Sequence, residues 1–378
     1  MALETALRRY SAWFWDEVLP FWAVRSQDRA GGFHESLDLT GAPNRNEPRR
    51  SRVQWRQIHV FATAARLGRL AGAAEISERG FRRMLALAAP RNGAEGCAHL
   101  LGPDGAVLDD RRDLYDQAFF LLACASHARA HPDSDALRIA ANVRAFLERE
   151  LASPDGGFHE DDRKTLPRRQ NPHMHLFEAF LALHRATGAT RWRADALAIF
   201  ELLAARFLDP EADVLREYFA ADLRAPDASM GDALEPGHMV EWVWLLNRAG
   251  EITPGADRLL AALYRRAAEV GRDQEGFLVN VVRLGAGSDG RRRLWPQTEL
   301  LKACLVMARS GDAAARATAE KLIARLFETY LTGPAAGIWI DEFDREGRPV
   351  AAAAPASILY HLLEAALECD AFLKDQIA

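Results

Sequence analysis

A turn that pairs glycine with an aromatic or apolar residue recurs along the whole chain. It reads AGGFHESLD (30–38), GGFHEDD (156–162), EGFLVN (275–280) and GIWIDEFDREG (337–347). A weaker copy is AEGCAHLLGPDG (94–105), and LREYF (215–219) keeps the aromatics without the glycine. From Gly32 through Gly96, Gly157, Tyr218 and Gly276 to Gly337 the steps are 64, 61, 61, 58 and 61 residues. A fixed period of this size marks one supersecondary unit repeated, each unit burying its apolar face on the next. Six such units tile the chain.

Each unit holds two segments of helical period. One is striped and charged, as in SDALRIAANVRAFLEREL (134–151) and DAAARATAEKLIARLFETYL (312–331). The other is apolar nearly all round, as in DQAFFLLACASHA (116–128) and MVEWVWLLNRA (239–249). A striped helix lies at a surface and an all-apolar one is buried. Strand signals are confined to the glycine turns. The predicted fold is therefore all-α, an (α/α)6 barrel of six helical hairpins with six inner and six outer helices. An open solenoid of helix pairs is the competing architecture, but six hairpins suffice to close a toroid. No Pro/Gly/Ser-rich linker interrupts the chain, so residues 1–378 are read as one domain.

Composition excludes several classes of function. With 49% apolar residues the chain can bury a large core. A net charge of −5 leaves no general basic field for nucleic acid or anionic membrane. The basic runs PRRSR (48–52) and GRRRL (290–294) are expected to be solvated loops. Cys97, Cys124, Cys304 and Cys369 are scattered without a CxxC pair, which fits a reducing, cytoplasmic setting. The N-terminal stretch reads as an amphipathic helix, not a signal peptide. No run of about 18 uncharged apolar residues is present to span a bilayer.

Polar residues fall at matching places in the apolar helices. They are Arg56 in VQWRQIHVFA, Tyr115 in DLYDQAFFLL, Asn171 and His175 in NPHMHLFEAF, His238 and Glu241 in EPGHMVEWVWLL, Gln297 and Glu299 in RLWPQTELLKA, and His361 in ILYHLLEAAL. From Arg56 through Tyr115, His175, His238 and Gln297 to His361 the steps are 59, 60, 63, 59 and 64 residues. Positions equivalent in a closed toroid converge at one mouth of its central cavity. A lone histidine on an apolar helix is ordinarily a satisfied core residue. Three at equivalent ring positions read instead as one polar pocket. Trp295, just before Pro296 at a helix start, is placed to stack on a sugar face.

Histidine is the side chain best suited to move protons near neutral pH. Glu241, three residues after His238, lies on the same helix face and is expected to fix the imidazole's tautomer. Arg56 supplies donors that stay charged beside an oxyanion. Such a set suits proton transfer alpha to a carbonyl in an opened sugar. A glycoside hydrolase would need two carboxylates flanking the scissile bond, and Asp113, Asp116, Glu178 and Glu241 form no convincing pair. A metal isomerase would want clustered ligands, but His173 and His175 do not share a helix face. No P-loop or GxGxxG motif opens a βα unit, so no nucleotide cofactor is implied.

With these residues in view, the chain resembles the N-acylglucosamine 2-epimerase family, which includes mannose isomerases, sulfoquinovose isomerases and cellobiose 2-epimerases. The resemblance covers essentially the whole chain and rests on DLYDQAF (113–119), NPHMHLFEAFLAL (171–183), EPGHMVEWVWLL (235–246), RLWPQTELLKA (293–303) and the pair Tyr360–His361. It implies an (α/α)6 barrel and acid/base catalysis by His238 and His361 through a cis-enediol. Around them it implies a substrate and orienting shell of Arg56, Tyr115, Asn171, His175, Glu178, Glu241, Trp295 and Gln297. It further implies no metal and no cofactor, a small sugar as partner, and neither nucleic acid nor membrane; a homodimer is compatible with it. The segment PVAAAAPASILYH (349–361) departs from the lysine-bearing element that the family often carries before its final histidine. One enediol serves both isomerisation and 2-epimerisation. The motif set is most similar to the mannose isomerase type, with 2-epimerisation of N-acylglucosamine or of a disaccharide as the alternative. A hydrolase or a non-catalytic sugar-binding toroid is the more remote reading.

Overall fold

The computed structural model describes residues 2–209, 214–224, 226 and 228–375. Helix α1 (Leu3–Ala12) runs through a π-helical stretch, Trp13–Val18, into α2 (Leu19–Arg25). There follow α3 (Ser51–Arg66), α4 (Ala73–Ala88), α5 (Leu114–Ala130), α6 (Ala136–Phe146), α7 (Gln170–Thr187) and α8 (Thr190–Leu202). After the short α9 (Ala228–Gly231) come α10 (Pro236–Ala249), α11 (Ala256–Gly271), α12 (Leu294–Arg309), α13 (Ala313–Thr329) and α14 (Ile358–Asp375).

The apolar helices α3, α5, α7, α10, α12 and α14 each pack on the next, and α14 returns to α3, so the inner ring is closed. Striped helices sit outside it. Helix α11 buries only Ala256, Leu260, Leu263, Ala267 and Gly271, one face at helical spacing, whereas α5 buries residues on every side. The toroid expected from the period is the observed architecture. Its seam is sealed from the first helix. Ser11 Oγ and Trp15 Nε1 donate to Asp370 at 2.5 and 3.0 Å, and Trp22 stacks on Trp339 at 4.6 Å between ring centres. Among the described residues no helix is long and apolar enough to cross a membrane.

Short antiparallel strand pairs join one unit to the next ahead of the inner helices. Arg49–Arg50 pairs with Leu100–Leu101, Arg168–Arg169 with Tyr218–Phe219, and Arg292–Arg293 with Glu342–Phe343. Ser36–Asp38 pairs with Ala353–Pro355 and joins the first unit to the last. The basic runs are therefore not the solvated loops their composition suggests. Arg49, Arg168 and Arg292 are buried and pin the glycine turns. Arg49 pairs with Asp28, Arg168 donates to the Gly156 and Phe158 carbonyls at 2.6 and 2.9 Å, and Arg292 reaches Asp273 at 2.5 Å. A guanidinium's several donors can close several strained-turn acceptors at once.

Candidate active site

The N-terminal ends of the inner helices open into one cavity of about 420 Å³. Every inner helix contributes to its wall: Arg52 and Arg56 from α3, Tyr115 from α5, Asn171 and His175 from α7, His238 and Glu241 from α10, Trp295 from α12, and His361 from α14. Arg50, Glu235, Arg293, Asp341 and Ser357 complete the rim. His238 and His361 thus face a common space, and the Trp295 ring stands 5.0 Å from the one and 5.7 Å from the other, centre to centre.

Close packing places that ring. A Cβ added at Gly237 would lie 2.6 Å from the Trp295 ring. The glycine of EPGH is therefore a space requirement, which lets α10 approach α12 with the indole between the histidines. Gly237→Ala is expected to displace Trp295 and raise KM for the sugar while the protein stays folded; steady-state kinetics beside circular dichroism checks this.

Each histidine is held from behind by a carboxylate. His361 Nδ1 lies 2.7 Å from Glu299 Oε1, and Glu299 is paired with the fully buried Lys302 at 2.6 Å. Trp244 supports that ammonium, which sits 3.4 Å from its ring centre. His238 Nδ1 lies 2.9 Å from Glu217 Oε2. Glu217 accepts in turn from Gln170 Nε2, whose Oε1 accepts from Trp242 Nε1, both at 2.9 Å. The two tryptophans of α10 therefore brace the carboxylates behind both histidines. Among the described residues Nε2 of either histidine has no protein partner, so each offers that nitrogen to the cavity.

A third chain of hydrogen bonds crosses the floor. Arg56 Nη2 donates to Tyr115 Oη at 2.8 Å, and that hydroxyl lies 3.3 Å from His175 Nε2. His175 Nδ1 faces Glu178 at 3.1 Å, and Tyr360 donates to both oxygens of that carboxylate at 2.6 and 2.7 Å. Glu178 thus lies behind the cavity and holds His175. Among the described residues the buried oxygens Asn171 Oδ1 and Glu241 Oε1 have no hydrogen-bond partner, as expected where a polyhydroxyl ligand completes the set.

Two expectations need correction. Glu241 does not orient His238: its nearest imidazole contact is His175 Nε2 at 3.9 Å, because the His238 ring is turned towards Glu217. Gln297 does not reach the cavity. Its Oε1 accepts from Leu278 N at 2.8 Å and its Nε2 donates to Leu278 O at 2.7 Å. Gln54 and Gln117 hold Phe33 and Cys97 in the same way, and His173 Nε2 accepts from Phe158 N. Two residues along a helix turn a side chain by about 200°, so Trp295 faces the cavity and Gln297 faces the turn. Gln297→Leu is expected to cost about 1–3 kcal/mol for each backbone group left unpaired, with KM unchanged; urea unfolding and kinetics on the same preparation test it.

The hydrolase candidates are also accounted for. Asp113 caps α5 by accepting from Tyr115 N at 2.9 Å, and Asp116 accepts from Arg52 N at 2.9 Å and faces His99 at 2.6 Å.

The cavity's charges are asymmetric. Burial opposes the His238 imidazolium, but Glu217 and Glu235 beside it raise its pKa to about 10. Burial, with Arg56 and Lys302 nearby, holds His361 well below the usual imidazole range. Burial likewise takes His175 down to about 4, against the pull of Glu178. Glu241 is pushed well above the carboxylate range by burial and by Glu299. At neutral pH the site therefore opposes an imidazolium at His238 to a neutral imidazole at His361.

Fold and site together define a sugar isomerase or epimerase on a helical toroid. The sequence profile of the N-acylglucosamine 2-epimerase (GlcNAc 2-epimerase) family matches residues 31–365, and the chain belongs to this family. It is 37% identical over 379 residues to a mannose-6-phosphate isomerase of Rhizobium meliloti (strain 1021), with 96% of each chain covered. It is 31% identical over 342 residues to a D-mannose isomerase of Thermobifida fusca, with 82% of each covered. The cellobiose 2-epimerase structure from Spirochaeta thermophila DSM 6192 superposes with a TM-score of 0.88 at 23% identity, covering 100% of this chain and 98% of that one.

Proposed function

We propose that the protein interconverts mannose and fructose by proton transfer through a cis-enediol, with His361 as base and His238 as acid. The opposite charge states of the two histidines around one cavity carry this reading. In the open-chain aldose, His361 Nε2 takes the C2 proton while His238 gives its Nε2 proton to the carbonyl oxygen O1. The resulting enediol returns its O2 proton to His238, and His361 delivers its proton to C1, which leaves the ketose with both histidines as they began. Arg56 stabilises negative charge developing on the enediol oxygens. Asn171, Tyr115 and Glu241 read hydroxyls, His175 and Glu178 hold Tyr115 and the floor in register, and Trp295 stacks on the sugar.

The D-mannose isomerase relative supports this substrate, and the mannose-6-phosphate isomerase relative supports the phosphorylated sugar as the alternative. A neutral sugar is favoured over its phosphate because the rim arginines already have carboxylate partners. Arg50 faces Glu35 at 2.5 Å, Arg52 faces Asp116 at 3.4 Å, and Arg293 faces Glu342 at 3.8 Å. The reaction is further proposed to need no metal. Two cavity-wall trios, Glu217–Glu235–His238 and Glu241–Glu299–His361, do bring ligand-type atoms within 4.8 Å of one another. Dialysis against a chelator is therefore decisive: activity should persist, and a loss restored by a divalent cation would assign one trio to metal.

Incubation with mannose in D2O tests the reaction itself. Fructose deuterated at C1 is the expected first product. Glucose deuterated at C2 as the first product would make the enzyme a 2-epimerase, and inert mannose beside turnover of N-acetylmannosamine or mannose 6-phosphate would displace the proposed substrate.

A further inference from the structure

The inner helices present their C-terminal ends at the opposite mouth of the barrel, where the sugar reaction has no use for them. The last turns of α3, α5, α7 and α10 carry Arg66, Arg129, Arg185 and Arg248, at steps of 63, 56 and 63 residues. All four line one cavity of about 80 Å³. The corresponding arginine of α12, Arg309, turns away to Asp375 at 2.8 Å and to Glu368.

An arginine in the last turn of a helix compensates the helix dipole, and that accounts for one cation at each end. It does not account for four guanidinium groups converging on one hole. The carboxylates in the wall do not neutralise them. Glu178 is engaged by Tyr360 and His175, and Glu364 is shared between His59 at 2.9 Å and Arg248 at 3.7 Å. Arg66 and Arg129 make no hydrogen bond or ion pair with any described residue. The crowding is felt at Arg185: desolvation and the neighbouring Arg248 pull it down to about 10. Burial and Arg129 likewise lower Arg66.

Size limits what can enter. The cavity is several times the roughly 10–15 Å³ that one water needs. That volume accommodates a tetrahedral oxyanion.

We propose that this rear cavity binds a phosphate group, free or at the end of a small monoester, between Arg66, Arg129, Arg185 and Arg248. Planar guanidinium forks match the oxygens of such a group. Glu178 lines this cavity and holds His175 on the far side, so the bound anion lies one residue from the catalytic floor.

Titration of the whole protein with inorganic phosphate, against sodium chloride at equal ionic strength, tests the site by calorimetry and by thermal stability. Saturable binding that chloride does not reproduce is expected. It should weaken by about tenfold or more in the Arg66→Ala/Arg129→Ala double variant and remain unchanged in Arg293→Ala, which removes a cation from the catalytic mouth. Both Arg66 and Arg129 are exposed, so their loss leaves the fold intact. Glycerol 3-phosphate binding as tightly as phosphate would identify a monoester head group, and binding of phosphate alone would identify the free ion. Stabilisation by phosphate no greater than by chloride overturns the proposal, as does affinity lost in Arg293→Ala and kept in the double variant.

Discussion

Replacing His361 with alanine is expected to lower kcat for mannose by on the order of 10²–10⁴-fold or more, the range for removal of a general acid or base, with little change in KM. Burial and the cations Arg56 and Lys302 disfavour the charged form of the imidazole, as the proposed acceptance of the C2 proton requires. Its other nitrogen is fixed by Glu299, which keeps Nε2 as the basic position. Deuterium wash-in at C2 of mannose separates this role from simple binding. If His361 is the base, exchange collapses together with turnover in His361→Ala, whereas fast exchange without product would assign the abstraction elsewhere. Near-normal turnover would remove the residue from the mechanism. His361→Asn retains a polar side chain of similar reach and guards against a merely packing effect.

The second large effect is expected from Glu217→Gln, a residue that touches no substrate in this scheme. With Glu217 and Glu235 beside it, His238 stays charged up to about pH 10, so the alkaline limb of kcat/KM for the parent lies near that value. Removing the Glu217 charge leaves burial less opposed, and the limb moves down towards neutrality. The loss should therefore be modest at pH 6 and on the order of 10²-fold by pH 9, comparable in kind with loss of the orienting carboxylate in a His-based triad. The stability sign follows by linkage. A histidine whose folded pKa lies above its unfolded value of about 6.5 contributes stability that is full below that pH and fades as pH rises through about 10. The stability gap between parent and variant should accordingly be widest in mild acid and narrow towards pH 10. A pH–rate profile with an unmoved alkaline limb would sink the assignment of His238 as acid.

The barrel was legible because its cause is periodic. A step near 60 residues and the contrast between all-apolar and striped helices are statements about burial, and burial decides this architecture. Convergence of Arg56, Tyr115, His175, His238 and His361 on one cavity follows from the same period. What stayed hidden depends on direction within a turn of helix. Gln297 and Glu299 are two residues apart on α12, and only coordinates tell which of them backs a histidine and which one ties down Leu278. Glu217 lies in LREYF, the turn without its glycine, and its carbonyl accepts from Gln170 N as those of Glu160 and Asp341 accept from Leu114 N and Leu294 N; the recurrence of an acidic residue at that place was the available signal, hidden because the missing glycine blurred the register. The arginine pairs at 49–50, 168–169 and 292–293 recur in alternate units, a regularity that distinguishes them from solvated charge runs.

Helix α14 carries His361 and is clasped between α12, α3 and α1, so the reaction centre depends on a joint made by opposite ends of the polypeptide. Ser11 and Trp15 grip Asp370 there, and Trp22 reaches the Gly337 carbonyl at 2.9 Å. A ring has no slack: parting it anywhere along this joint withdraws one histidine from the other while most helices remain packed. Catalysis should then fail in mild denaturant before helicity does, and the strength of that clasp, more than the chemistry beside it, would set how long the enzyme keeps working when warmed.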